Sequence, residues 1–287
     1  MLRRYLFLAL VPAWVWLLIA IVVAFLGISM VVVLIAGTTT SSLATDFSYQ
    51  CDSAVGPDPS STVQEQPLPE RAVARETAAL GPSTAPTTNP YAALEIEQGD
   101  ANVTDWQRSC VSAMSEAPYQ LPSLLDPNTG SAAECARELA LREAISGANT
   151  DSATMVRSVI YRASNASVTG RCAQSAGTGV DAGAETAAGL APETGRESCG
   201  QVAGSSVVVL PSTVAAQGVC GQRVAISAVS PGDLIFWDYR AHRPTRVGIA
   251  VGGSAMVTGD PATATMTEQA IPADPDVRVK RVLGGAT

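Results

Sequence analysis

Histidine is nearly missing from this chain: His242 is the only one in 287 residues. No Cys-x-x-Cys pair occurs, and no group of cysteine and histidine stands at zinc-ligand spacing. A structural zinc site is thereby excluded, and nothing in the sequence calls for a cofactor. Basic residues are also scarce, 18 Lys and Arg against 26 Asp and Glu, giving a net charge of −8 and a pI near 4.7. A nucleic-acid partner needs a concentrated basic face to neutralise phosphates, so that class is excluded as well. Acidity by itself implies solubility and nothing further.

One absence is local. From Tyr5 to Ala36 the sequence holds no charged residue. A bilayer core takes about 20 apolar residues, whereas a secretory h-region runs to about 7–15. The stretch therefore predicts a single transmembrane helix, with the membrane as partner of residues 5–36. Arg3 and Arg4 precede it, and no Lys or Arg follows until Arg71. The positive-inside rule then puts residues 1–40 at the cytoplasmic tip and in the bilayer, and the rest outside the cell. Ser42 and Ala44 leave a cleavage site open as the alternative.

All six cysteines lie beyond that run: Cys51, Cys110, Cys135, Cys172, Cys199 and Cys220. An even number in an exported region predicts disulfides, with the pairing left open. Residues 41–90 read as a linker rich in Pro, Ser and Thr, which cannot bury much apolar surface. A short helix in Pro69–Leu80 would interrupt it.

Ordered structure is expected from about residue 91 to 287. "SAAECARELALREAISG" predicts a helix with Ser131 and Glu134 at capping-box spacing and Gly147 as its stop. "TDSATMVRSVIYRAS" predicts a second, capped by Thr150 or Asp151, with Met155, Val156, Val159, Ile160 and Ala163 forming one apolar stripe. Residues 170–204 lack periodicity and read as a Gly/Ala-rich insertion. Short β-branched runs follow, "SSVVVLP", "DLIFW", "RVGIAVG", "AMVTG" and "DVRVKRVL", separated by Pro, Gly and Asp turns. Helices followed by strands imply an α+β domain with helices packed on an antiparallel sheet.

The stretch Leu210–Trp237, "LPSTVAAQGVCGQRVAISAVSPGDLIFW", followed by "RVGIAVGG" and "AMVTG", resembles the C-terminal half of NlpC/P60 domains. A Leu-Pro pair and a Gln precede a Pro-Gly-Asp-Leu turn, and Val-Gly-Ile follows on the next strand. The resemblance covers about fifty residues. It implies a papain-like fold, and in the family at large a cysteine peptidase that cuts peptidoglycan stem peptides. Such chemistry needs a thiolate at a helix N-terminus, an imidazole to take its proton and a polar group to orient that imidazole.

Here the implied positions are filled differently. Arg246 stands where the family has its histidine, and a guanidinium cannot act as a general base. Thr258 stands at the orienting position. Alignment of Ser152 and Ala153 with the family's Ser-Gly puts Asp151 at the cysteine position, a good helix cap and a poor acyl nucleophile. The expectation is a catalytically inactive domain in the cell envelope that binds peptidoglycan or envelope proteins, with Arg246, Asp151 and Trp237 as ligand-binding candidates. An active endopeptidase using Cys199 and His242 is one alternative. A subunit of an envelope-spanning secretion or conjugation machine is another.

Overall fold

The computed structural model describes residue 22 and residues 44–60, 89–97, 100–147, 150–172, 199–201 and 206–284. The chain divides into two compact units, residues 1–48 and 49–287. Of the first, residues 44–48 are helical.

The fold-class expectation needs correction at its N-terminal end. Among the described residues no helix is long and apolar enough to cross a membrane. The run 5–36, apart from Val22, lies outside them, so the transmembrane helix is not part of the fold described here. The short helix expected in Pro69–Leu80 and most of the insertion at 170–204 also lie outside the described residues.

The linker expectation changes too. Residues 44–55 are helical (α1), and from Tyr49 onward they belong to the folded unit. Cys51 bonds Cys110. Gln50 exchanges two hydrogen bonds with the backbone of Gln120, at 2.8 Å each. Gly56, at φ 82°, ends the segment where any Cβ would run into the Tyr239 ring. Its carbonyl accepts Trp106 Nε1 at 2.9 Å. Composition marked these residues as linker because the ties that hold them come from distant parts of the chain.

A 3₁₀ turn at Pro90–Ala93 precedes α2 (Asp105–Met114). Thr104 and Gln107 close a reciprocal capping box at the start of α2, and Trp106, Cys110 and Met114 face inward. In α3 (Ser131–Ser146) the expected capping box does not form: Gly130 is the cap, and Glu134 pairs with Arg137 instead. Gly147 ends α3 in the left-handed conformation, as expected. Asp151 caps α4 (Ser152–Thr169) by accepting Thr154 N at 2.9 Å, and the five-residue apolar stripe is fully buried.

Strands β1 (Gly200–Gln201) and β2 (Val208–Val209) form a small antiparallel pair, followed by the short helix α5 (Val214–Gln217). The main sheet holds β3 (Gln222–Val224), β4 (Leu234–Arg240), β5 (Arg243–Ala250), β6 (Ala255–Gly259), β7 (Met266–Ala270) and β8 (Arg278–Arg281). Their order is β3-β8-β4-β5-β6-β7, and every neighbouring pair is antiparallel. The α+β reading of residues 91–287 thus agrees with the structure.

The principal core joins Leu139, Val156 and Ile160 of the helices to Leu234, Phe236, Val247, Ile249 and Val257 of the sheet. Alternating residues on the other face, Ile235, Ala250, Met256 and Val279, form a smaller cluster with Val224 and Val229. The strand β8 departs from the half-buried pattern expected of it, since Arg278 and Lys280 are buried along with Val279. Asp52 of α1 binds Arg278, with Arg278 Nε at 2.9 Å, and also pairs with Arg223 of β3. Burial alone would raise the Asp52 pKa, but Arg223 and Arg278 together hold it below the usual carboxylate range.

Asp233 of the Pro-Gly-Asp turn has its own buried partner. Its carboxylate accepts Ser230 N at 2.9 Å and Arg281 Nε at 2.8 Å, which fastens the turn to β8. Burial pushes its carboxyl up, and the Arg281 bridge pulls it back only in part.

Three disulfides, Cys51–Cys110, Cys135–Cys172 and Cys199–Cys220, use all six cysteines. They indicate an oxidising, extracytoplasmic environment for the folded unit.

Candidate functional site

The positions singled out by the resemblance gather where α4 begins and β6 ends. The pairing of β4 with β5 sets Trp237 directly opposite Arg246, so their side chains share a face. The Arg246 guanidinium lies over the Trp237 ring, 5.4 Å from its centroid. Arg246 Nη2 donates to Gly259 O at 2.9 Å.

Gly259 also receives the start of α4. Its N–H donates to Ser152 Oγ at 3.0 Å. A Cβ on Gly259 would lie 2.8 Å from that oxygen and 3.3 Å from Met266 Cε, so the close approach needs glycine. Behind α4, the buried Gln217 donates through Nε2 to Ala153 O at 2.9 Å and Pro211 O at 2.8 Å. Gln217 Oε1 has no hydrogen-bond partner among the described residues. The Leu-Pro pair, the Gln and the first turn of α4 are thus joined through one side chain.

Gly248 pairs with Thr258, which puts Thr258 on the face that carries Arg246, two residues before Gly248. Thr258 is fully buried and donates to Val247 O at 2.7 Å. Its hydroxyl is committed to the sheet backbone. Asp151 is exposed and serves as the helix cap described above.

The alternative pair fares differently. Cys199 is bonded to Cys220, and no cysteine of the chain is a free thiol. A disulfide sulfur offers no thiolate for acyl attack, so Cys199 cannot be the nucleophile of the oxidised protein. His242 sits with Ala241 in the two-residue turn between β4 and β5, both at positive φ, 48° and 61°. It makes no hydrogen bond or ion pair among the described residues.

The β4–β5 hairpin is distorted one residue past Trp237. Asp238 takes φ 55°, and its carboxylate accepts Thr245 Oγ1 at 2.8 Å and Arg240 at 3.3 Å. The Thr245 bond is the largest influence that holds its pKa low, with Arg240 and then Arg246 adding to it. A cavity of about 290 Å³ lies at the opposite end of α4, beside Glu134, Glu138 and the Cys135–Cys172 disulfide. It takes in none of these residues. No group of acidic, cysteine and histidine side chains fit to hold a metal ion occurs among the described residues.

Sequence reasoning named Asp151, Trp237, Arg246 and Thr258 but missed what joins them. Ser152 was visible only as the neighbour of Asp151 and Gly259 only as the end of the strand "AMVTG", and small residues give no periodic signal. Comparison with known proteins adds no assignment: no family model, curated protein or solved structure matches the chain.

Proposed function

We propose that residues 49–287 form an NlpC/P60-like domain that has lost peptidase chemistry and serves in the cell envelope as a binding module for peptidoglycan or envelope proteins. The ordered series of Leu-Pro, Gln, Pro-Gly-Asp-Leu and Val-Gly-Ile along the chain supports the kinship, and Gln217 joins the Leu-Pro pair to the first turn of α4.

A single observation carries the loss of chemistry. The base position holds Arg246, bonded to Gly259 O, in a chain whose every cysteine is in a disulfide. A guanidinium keeps its proton at physiological pH. Losing the base or the nucleophile of a triad commonly costs on the order of 10⁴ to 10⁶ in turnover.

The test is to incubate the oxidised full chain with insoluble peptidoglycan and, separately, with soluble muropeptides. Retention without cleavage is the expected pair of results. Failure to sediment with peptidoglycan at low salt removes the cell-wall version of the proposal. Cleavage abolished by Cys199→Ala restores the peptidase reading.

A further inference from the structure

The amine of Lys280 takes no part in the function proposed above. It lies in β8 against the side chain of Gln120, on the segment between α2 and α3, and both residues are buried. A primary amine and a carboxamide thus meet where water is excluded. Lys280 Nζ is 3.2 Å from Gln120 Oε1. The amide is fixed in its orientation: Oε1 also accepts Arg223 N at 2.9 Å, and Nε2 donates to Pro118 O and Gly221 O at 3.0 Å each. These contacts hold the amide carbon beside the amine.

The charges around the pair favour attack of one on the other. Arg223 of β3 and Arg278 of β8 face the amine, against the carboxylate of Asp52 of α1. Burial, then the charge of Arg223, lowers the pKa of the amine to about 7. Near neutral pH much of it is therefore the free base, which is the nucleophilic form. The surplus of positive charge also suits the oxyanion that forms when an amine adds to an amide. The Arg223 N–H already points at the oxygen that carries that charge.

We infer that Lys280 and Gln120 close an intramolecular isopeptide bond in the folded protein. Nζ adds to Cδ of Gln120, the Cδ–Nε2 bond breaks, the proton given up by Nζ passes to Nε2, and ammonia leaves. The exchange consumes no other reactant. Both acceptors of Nε2 are carbonyls, with no acid to speed its departure. Closure is therefore slow, and freshly folded protein still carries the free amine. The bond ties β8 to a residue 160 positions earlier and, unlike the three disulfides, resists reducing agents.

The oxidised full chain is kept at pH 6 and at pH 8 and followed by intact mass. The expected product is lighter by one ammonia than the chain with three disulfides, and its digest yields a branched peptide joining Gln120 to Lys280. The rate should rise about tenfold from pH 6 to pH 8, with the share of free amine. Lys280→Met should keep its full mass. The closed form should stop titrating at this position and keep its cross-link in reducing denaturant. An unchanged wild-type mass after prolonged incubation at pH 8 overturns the inference, and so does loss of ammonia without the branched peptide. Should Lys280→Met fail to fold, the branched peptide of the wild type decides the matter.

Discussion

Lys280 is the only lysine in the chain, and it lies in β8 with 1% of its surface exposed. Its ammonium donates to Gln120 Oε1 at 3.2 Å, an oxygen that also accepts Arg223 N at 2.9 Å. Arg223 of β3, Arg278 of β8 and Asp52 of α1 are the charges that face it. Burial, then the charge of Arg223, lower its pKa to about 7 from 10.5, against the opposing pull of Asp52. In the unfolded chain the amine keeps its proton up to its ordinary pKa. Between pH 7 and that value the unfolded state therefore binds more protons than the folded one, and stability rises with pH. At about 1.4 kcal/mol per pH unit, the gain from pH 7 to pH 9 comes to about 2–3 kcal/mol. Tyr239 limits the window from above: burial raises its pKa well beyond the usual phenol range. Past about pH 10 the unfolded tyrosine ionises while the folded one does not, and stability falls again. Urea unfolding of the oxidised protein at pH 7 and pH 9 should show the midpoint moving to higher urea with unchanged slope. Lys280→Met should abolish that movement and match or exceed the wild type at pH 7. A wild-type midpoint that does not move, or a Lys280→Met variant that moves as the wild type does, refutes the argument.

Asp52→Asn removes the carboxylate that Arg223 and Arg278 share and should cost about 3–5 kcal/mol in chemical denaturation. Its contribution is present above the ordinary carboxylate pKa and lost as pH falls through the depressed folded value, so the variant should also show a flatter acid limb. Gly259→Ala places a methyl 2.8 Å from Ser152 Oγ and should destabilise by about 1–3 kcal/mol; Ser152→Ala in the same background should recover part of the loss in thermal unfolding. The double variant Cys51→Ser/Cys110→Ser opens a loop of sequence separation 59 and should cost about 4 kcal/mol by chain entropy. A loss near zero would mean that Gln50 and Asp52 hold α1 without the disulfide.

Legibility in the sequence followed the range of the interactions. Helices α3 and α4 and strands β4, β5 and β6 were readable because local periodicity and turn residues specify them. The terminus of α3 at Gly147 was readable for the same reason. Helix α2 was not anticipated, although Thr104 and Gln107 carry the capping-box spacing, because its apolar positions are few. Residues 49–56 were assigned to a linker because nothing local distinguishes them: Cys51 finds Cys110, and Asp52 finds Arg223 and Arg278, far along the chain. The alternation in β8 misled for a related reason. A strand with Arg278 and Lys280 on one side reads as half-exposed until a buried aspartate is brought over it. At the site, residue types named the occupants of each position, but the joint at Gly259 depends on two side chains meeting one glycine across the fold.

That joint bears on how far the corner stands from hydrolysis. A nucleophile and base work as a pair because each leaves its reactive atom directed at the other and at the substrate. At this corner the polar side chains are committed to the backbone: Ser152 Oγ accepts from Gly259 N, Arg246 Nη2 donates to Gly259 O, and the Thr258 hydroxyl donates to Val247 O. The first two tie α4 and β5 to the same residue of β6, so they position elements as well as occupy the corner. Under the proposed reading, replacing Asp151 and Arg246 by cysteine and histidine would supply a thiol and an imidazole and at the same time release one of those ties. The buried Thr258 would still have no hydroxyl to spare for orienting an imidazole. A guanidinium also differs from an imidazole in keeping its charge throughout the physiological pH range. Arg246 thus holds its hydrogen bond to Gly259 O at any physiological pH and has no proton to hand to a leaving amine.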